Sequence, residues 1–208
     1  KISTFSKTKR RCLMWVISWV EWIVWIVKNK PIPYPHRYKS KIISDYAIKY
    51  KIKTLIETGT YLGQTIDDLE PGFDSIYSIE LDKKLYLNAK KMFLTNKKIN
   101  ILQGDSSKLL PNIISKIKKP SLFWLDAHYS KGITARGKKE TPILDELNSI
   151  SKSKIKNHVI LIDDARKFNG SNGYPSINDV KRFVYNKFTN YKINSSMDIV
   201  RIYPKNTI

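Results

Sequence analysis

The chain alternates between short apolar runs and amphipathic stretches from about residue 40 onwards. Continuous apolar runs bounded by polar residues are typical of strands that are buried on both faces of a parallel sheet. The pattern predicts five such strands, at residues 53–57, 75–80, 99–105, 121–126 and 158–164. A closing pair of strands is predicted at residues 191–196 and 198–204.

Between these runs, apolar positions recur at the spacing of an α-helix. The predicted helices are residues 40–50, a short stretch after residue 65, then 82–96, 106–118 (in spite of Pro111), 140–151 and 176–188. Regular alternation of strands and helices predicts an α/β fold in which helices cover both faces of a parallel sheet.

The segment 12–27 is the one sharp change in composition, an apolar run with basic residues on both sides. It contains four tryptophans, Trp15, Trp19, Trp22 and Trp25. As a helix it spans about 24 Å, short of the roughly 30 Å hydrocarbon core, and Glu21 lies near its middle. The pattern favours a helix that lies in a membrane interface. A helix packed against a partner or a second copy, and an uncleaved targeting segment, are the alternatives.

Pro31, Pro33 and Pro35 follow this segment and are expected to end the helix and stiffen a linker. The predicted organisation is a helix within residues 1–30, a linker at 31–38 and one α/β domain at 39–208. The sequence begins with Lys rather than Met, so a missing or processed N-terminus is one expectation, and the sequence does not tell whether the N-terminus is complete.

The chain has a net charge of +20, from 38 Lys and Arg residues against 18 Asp and Glu. Such a charge suits an acidic partner such as nucleic acid, an anionic membrane or an anionic glycan. The lysines are scattered, however, which favours solvated surfaces and argues against a nucleic-acid-binding face. Cys12 is the only cysteine, so no internal disulfide forms and a cytoplasmic location is expected, with the N-terminal helix as a peripheral membrane attachment.

Each of the five predicted strands ends in an acidic residue. These residues are Glu57, Glu80, Asp105, Asp126 and the pair Asp163 and Asp164. Helix capping explains one or two such acids, but five at one edge are harder to explain in that way. Because ligands of parallel sheets bind beyond the carboxyl ends of the strands, the sequence predicts a ligand site at this edge.

The turn after the first strand contains Gly59 and Gly63, which let the backbone approach a ligand closely. It lacks the G-x-G-x-x-G pattern of dinucleotide binders, and Glu57 would repel a pyrophosphate, so an NAD-dependent enzyme is least favoured. Glu57 instead suits a cationic ligand that carries an amine and a sulfonium. Glu80 is placed to bind ribose hydroxyls, and Asp105 to bind an adenine amino group.

Three segments, LIETGTYLGQT, IYSIELD and QGDSSKLL, resemble the cofactor motifs of class I S-adenosylmethionine-dependent methyltransferases. The string FWLDAHYS…TARG…ETPILDEL…HVILIDDAR resembles bacterial methyltransferase-like proteins of surface-glycan and secondary-metabolite pathways. The resemblance runs from about Pro31 to Pro204. It implies a Rossmann-like sheet of seven strands with the last one antiparallel. It also implies that S-adenosylmethionine is bound by Glu57, Gly59, Thr60, Gly63, Glu80, Asp105, Ser106 and Asp126.

Asp126 and His128 follow the fourth strand, next to the end of the fifth. Methyl transfer to a hydroxyl needs a positioned base, and His128 is the predicted general base because histidine titrates near neutral pH. Asp126 would orient it or bind a metal. Asp126, Asp163 and Asp164 offer oxygen ligands for Mg²⁺, the second candidate cofactor, and Asp163 is the third predicted catalytic residue. The sugar O-methyltransferases related to macrocin O-methyltransferase, which this segment resembles, use such a cluster.

The sequence therefore predicts a methyltransferase that acts on a hydroxyl of a small molecule or glycan. The alternatives are an RNA methyltransferase and a non-catalytic, membrane-tethered module that binds S-adenosylmethionine. His36 and His158 are predicted to be structural. Arg136 and Arg166 would bind an anionic substrate or pair with the acids, and the loop 129–139 is either a lid or a surface loop. The sequence indicates neither the acceptor nor the oligomeric state.

Overall fold

A computed structural model of the protein describes residues 7–29, 31–126 and 141–205. Its strands are β1 (Thr54–Thr58), β2 (Ser75–Glu80), β3 (Ile99–Gln103), β4 (Leu122–Leu125), β5 (Val159–Ile162), β6 (Tyr191–Ser196) and β7 (Ile199–Pro204). Its helices are α1 (Lys7–Val27), α2 (His36–Lys49), α3 (Gln64–Leu69), α4 (Lys83–Met92), α5 (Ser106–Lys116), α6 (Ile143–Ser151) and α7 (Ile177–Lys187).

The strands form one seven-stranded sheet in the order β3-β2-β1-β4-β5-β7-β6. Strands β1 to β5 are parallel, and β7 runs antiparallel to both β5 and β6. The predicted sheet with an antiparallel last strand is therefore confirmed. Strand order reverses between β1 and β4, because the chain first builds outwards through β2 and β3 and then returns to the other side of β1. Open α/β sheets bind ligands at such a switch point.

Two hydrophobic clusters cover the two faces of the sheet, as the continuous apolar strands predict. Side chains alternate between the faces along each strand, so Ile56 packs with α5, α6 and α7 while Leu55 packs with α2, α3 and α4. Phe123 and Trp124 divide in the same way on β4. All four of these side chains are fully or almost fully buried, which fixes the register of the strands and hence the positions of their ends.

The main difference from the predicted elements lies at the start of the domain. Helix α2 begins at His36, directly after Pro35, whereas the sequence pattern predicts a helix from residue 40 and a linker as far as 38. Pro35 has extended backbone angles and precedes the first helical residue, a place where its ring does not disturb helical hydrogen bonds. The linker is therefore shorter than predicted, and the extra helical turn includes Lys39.

Helix α1 contacts the domain through aromatic side chains near its C-terminal end. The rings of Trp22 and Trp25 lie 6.0 and 5.5 Å from that of Tyr38, and Trp25 also lies 5.3 Å from Tyr34. The indole Nε1 of Trp25 donates a hydrogen bond to the carbonyl oxygen of Pro31 at 2.8 Å. Among the residues that the structure describes, no helix is long and apolar enough to cross a membrane.

Candidate active site

The acids that end the strands lie along one edge of the sheet. Thr58 of β1 pairs with Leu125, and Leu125 pairs with Ile162 of β5. Asp126 and Asp163, each one residue further on, therefore leave the sheet side by side. Their backbone N–H groups continue the ladder, donating to the carbonyl oxygens of Thr58 at 3.0 Å and Leu125 at 3.1 Å.

A chain of hydrogen bonds ties the end of β1 to β2. The buried Glu57 carboxylate accepts a hydrogen bond from Ser78 Oγ at 2.5 Å, and Ser78 Oγ is 2.6 Å from Thr60 Oγ1. Burial raises the pKa of Glu57 to about 7, while hydrogen bonds from Ser78 and Thr65 oppose the rise. The network holds the turn after β1 against β2.

Two glycines in this turn have backbone angles that other residues rarely adopt, with φ of 91° at Gly59 and 74° at Gly63. A Cβ atom at Gly63 would lie only 2.9 Å from the ring of Phe93 and 3.5 Å from the sulfur of Met92. Gly63 is therefore required for packing. The contact of Gly63 with a cofactor stays a prediction.

Glu80 and Asp105 already serve the local backbone. Glu80 accepts hydrogen bonds from the N–H groups of Tyr61 at 2.8 Å and Asp82 at 2.9 Å. Burial raises the pKa of Glu80, and these backbone bonds oppose the rise. Asp105 caps α5 by accepting from the N–H of Ser107 at 3.0 Å. Because each carboxylate oxygen accepts up to two hydrogen bonds, both groups retain capacity for a ligand.

The half of the edge formed by β4 and β5 contains a lysine that the sequence prediction missed. Lys39 of α2 forms an ion pair with Asp163 Oδ2. Burial and the neighbouring Asp163 raise the pKa of Asp126 well above its ordinary value, with Lys39 opposing the rise. The pKa of Lys39 is raised. Burial lowers this pKa, but the neighbouring Asp163 and Asp126 carboxylates outweigh the effect of burial. The three groups therefore form one charge cluster.

Asp164 forms ion pairs with two basic residues that follow it in the chain. Its carboxylate lies 2.8 Å from Arg166 Nη1 and 2.7 Å from Lys167 Nζ, and its backbone is left-handed with φ of 54°. Arg166 also pairs with the buried Asp198. Of the two roles predicted for Arg166, the structure shows pairing with acids.

The predicted Mg²⁺ site finds no support in the described residues. Within them, no group of three or more His, Cys, Asp or Glu side chains is arranged to hold a metal ion. Asp163 is engaged by Lys39, and Asp164 by two basic neighbours. Two of the three carboxylates that were predicted to hold the ion thus already pair with protein cations, which does not fit the predicted Mg²⁺ site.

The three histidines and the predicted lid lie in different parts of the chain. His128, the predicted base, and the predicted lid at 129–139 with Arg136 lie outside the described residues. His158 is buried, its Nδ1 accepts a hydrogen bond from the Ser121 N–H at 3.0 Å, and burial lowers its pKa to about 4. At the start of α2, His36 Nε2 lies 3.4 Å from Oδ2 of Asp68. Both are in structural positions, as predicted.

Glu146 of α6 is the second residue at this edge that the sequence prediction missed, and it is a buried acid. It is almost fully buried, and burial raises its pKa to about 7 while the nearby Ser106 and Thr58 hydroxyls oppose the rise. It lines a cavity of about 10 Å³ together with Asp163, large enough for about one water molecule. Lys39 was missed because the sequence pattern begins the helix at residue 40, so the four-residue spacing between Lys39 and the buried Ile43 was not part of the predicted element.

No protein-family model matches the chain, and no curated protein sequence does either. Solved structures do share its architecture. The O-methyltransferase from Bacillus cereus in complex with S-adenosylhomocysteine superposes with a TM-score of 0.60, at 14% identity over 88% of each chain. The Podospora anserina methyltransferase PaMTH1, also bound to S-adenosylhomocysteine, gives 0.58 at 14% identity, over 88% of this chain and 86% of that one.

A third structure is the O-methyltransferase TomG from Streptomyces achromogenes, involved in tomaymycin synthesis and bound to S-adenosylmethionine. It superposes with a TM-score of 0.59 at 12% identity, over 86% of this chain and 85% of that one. Identities this low establish architecture only. Together with the strand order, they show that the chain has the Rossmann-like fold of the class I S-adenosylmethionine-dependent methyltransferases.

Proposed function

We propose that the protein is an S-adenosylmethionine-dependent methyltransferase that methylates a hydroxyl of a small molecule or glycan. The observation that carries the proposal is the row of strand-end acids at the switch point of a sheet with the methyltransferase fold. Bound S-adenosylmethionine would supply the methyl group as an electrophile for direct displacement by an acceptor oxygen.

The residues that follow or end β1, β2 and β3 fit this cofactor. Gly59, with its positive φ and no Cβ, lets the backbone approach a ligand closely two residues after Glu57, whose carboxyl group suits an amine. Glu80 retains lone pairs that suit the two vicinal hydroxyls of a ribose. Asp105 and Ser106, at the start of α5, lie next in order along the edge, where we place the adenine.

Cofactor binding is tested by calorimetry with S-adenosylmethionine and S-adenosylhomocysteine. Glu80→Gln should weaken binding by about 10- to 100-fold, because a carboxylate hydrogen bond contributes about 1.5–3 kcal/mol. Asp45→Asn, which removes an exposed charge on α2, is the control and should bind as the wild type does. Wild-type protein that shows no saturable binding at high micromolar ligand would refute the proposal.

We place the proton transfer at the end of β4. His128, two residues after Asp126, accepts the acceptor's hydroxyl proton, and Asp126 orients the imidazole. Asp163, next to Asp126 on β5, supports this pair electrostatically. His128→Ala and Asp126→Ala should each abolish methyl transfer to catechols, sugars or nucleotide sugars, and His128→Ala should still bind S-adenosylmethionine. Full rates in both variants would remove this assignment, and methylation of RNA alone would favour the RNA methyltransferase alternative.

We also propose that α1 binds an anionic membrane surface. Its exposed apolar side chains recur at helical spacing, at Val16, Val20, Ile23, Val24 and Val27. In the sequence, Lys28 follows this segment and the basic residues among 7–11 precede it, which suits acidic lipid headgroups. The opposite, aromatic side is already packed against Tyr34 and Tyr38.

Sedimentation with vesicles tests this attachment. The protein should bind phosphatidylserine-containing vesicles in a salt-sensitive way, and Ile23→Glu should abolish binding. Ile48→Glu, at an exposed apolar position of α2, is the matched control and should bind normally. Wild-type protein that does not sediment with the vesicles would refute the membrane proposal. A stable dimer that Ile23→Glu dissociates would instead identify a second copy of the chain as the partner of this face.

A further inference from the structure

Lys39 reaches the acid edge because of its place on α2. Lys39, Ile43 and Ala47 follow one another at four-residue intervals, so they lie on the same face of the helix. Ile43 and Ala47 are buried in the core, and the Lys39 side chain is only 16% exposed. The helix thereby carries an ammonium group to the end of β5, 124 residues further along the chain.

The carboxylate that receives this ammonium is deeply buried. The Asp163 side chain is 2% exposed, its Oδ2 pairs with Lys39, and its Oδ1 has no hydrogen-bond partner in the part of the chain that is described. Asp126 leaves the neighbouring strand beside it. A buried carboxylate needs a cation or several hydrogen-bond donors close by, since desolvation otherwise disfavours its charge. Lys39 supplies that cation.

A lysine ammonium and a divalent metal ion meet this need differently. The ammonium provides one charge and three N–H donors, and it leaves a carboxylate bound through hydrogen bonds. Mg²⁺ requires near-octahedral oxygen ligands at close range, which means that it needs the same Asp163 oxygens free of other cations. The two cations therefore compete for one position.

We propose that the Lys39 ammonium is the built-in cation of the Asp126–Asp163 pair, in the position that the sequence pattern assigns to Mg²⁺. Lys39 keeps its proton and offers its remaining N–H donors to the acceptor oxygen, which makes methyl transfer independent of divalent metal. The role towards the acceptor rests on the proposed methyltransferase function. The assignment of the cation position does not.

Titration with Mn²⁺, followed by electron paramagnetic resonance, tests the cation position directly. Wild-type protein should take up no Mn²⁺ at this site up to about 1 mM, because the ammonium already fills it. Lys39→Met removes the charge and keeps most of the side-chain volume, so this variant should bind about one Mn²⁺ and gain thermal stability from it. Lys41→Met, an exposed lysine on the same helix, is the matched control and should behave as the wild type does.

Further variants keep the test decisive if Lys39→Met folds poorly. Lys39→Arg retains the charge and should bind no Mn²⁺, and Lys39→Met with Asp163→Asn should lose the acquired site. Wild-type protein that binds one Mn²⁺, with loss of binding in Asp163→Asn, would overturn the proposal. So would a folded Lys39→Met protein that acquires no Mn²⁺. Neither measurement involves cofactor or acceptor, so failure of the methyltransferase proposal would appear separately, in the calorimetry with S-adenosylmethionine.

Discussion

Gly63 offers a direct test of how packing constrains the turn after β1. Gly63→Ala adds one methyl group at a position with φ of 74°, where the new Cβ would meet the Phe93 ring at 2.9 Å. Phe93 is 3% exposed, so its ring has little room to move away. The substitution therefore combines backbone strain with an overpacked contact in the core.

The size of the effect follows from these two parts. A left-handed conformation costs a residue with a Cβ about 1–2 kcal/mol, and overpacking a well-filled core costs about 1–3 kcal/mol. Alanine also reduces the entropy of the unfolded chain, which offsets about 0.4–1 kcal/mol. We expect Gly63→Ala to lower the free energy of unfolding by about 2–4 kcal/mol.

Urea denaturation measures this change. With an m-value of about 2–3 kcal/mol per molar, the midpoint should fall by about 1–2 M. Gly72→Ala is the matched control, because a Cβ at Gly72 meets no atom of the described chain within 4 Å. Its midpoint should stay within about 0.5 M of the wild type. Equal midpoints for Gly63→Ala and the wild type would refute the steric argument for this turn.

Two further substitutions test buried and packed groups. Burial raises the pKa of Glu146 to about 7, so the folded protein keeps a proton that the unfolded chain releases and stability is lost as pH rises from about 4.5 through 7. Glu146→Gln should reduce the fall in urea midpoint between pH 5 and pH 8. Part of the fall should remain, because burial raises the pKa of Glu57 to a similar value. An unchanged fall in the variant would argue against Glu146 as a source of the pH dependence. Trp25→Ala should release α1 from the domain and speed tryptic cleavage near Lys28. Trp19 is more exposed than Trp25, so Trp19→Ala should have less effect. Equal cleavage rates in the two variants would show that Trp25 does not hold the helix in place.

The central strands β1, β4 and β5 were predictable because they are buried on both faces. A run such as residues 159–162 is apolar at every position, and the predicted run 75–80 coincides with β2. Helix ends were less predictable, since they depend on local caps. Helix α4, for example, ends at Met92 although the amphipathic pattern continues to residue 96.

The acids of the site were predictable from position, because parallel strands end at a common edge. The residues that pair with these acids were not predictable from the sequence. Lys39 is one of many lysines in a strongly basic chain, and only its contact with Asp163 distinguishes it from solvent-exposed neighbours such as Lys41. Glu146 lies in a first helical turn, where an acid is ordinarily explained by the helix dipole, and the sequence does not reveal that its carboxyl group faces inwards.

The antiparallel strand β7 has a consequence for the order in which the protein can assemble during synthesis. It is made after every other strand, yet it lies between β5 and β6 and pairs with both. While the ribosome is still translating residues 199–204, β5 has an open edge and β6 has not yet met the strand beside which it lies. Two of the seven strands, β6 and β7, can therefore join the sheet only after translation has passed Pro204, so a nascent chain arrested before that point should remain sensitive to protease and prone to bind chaperones.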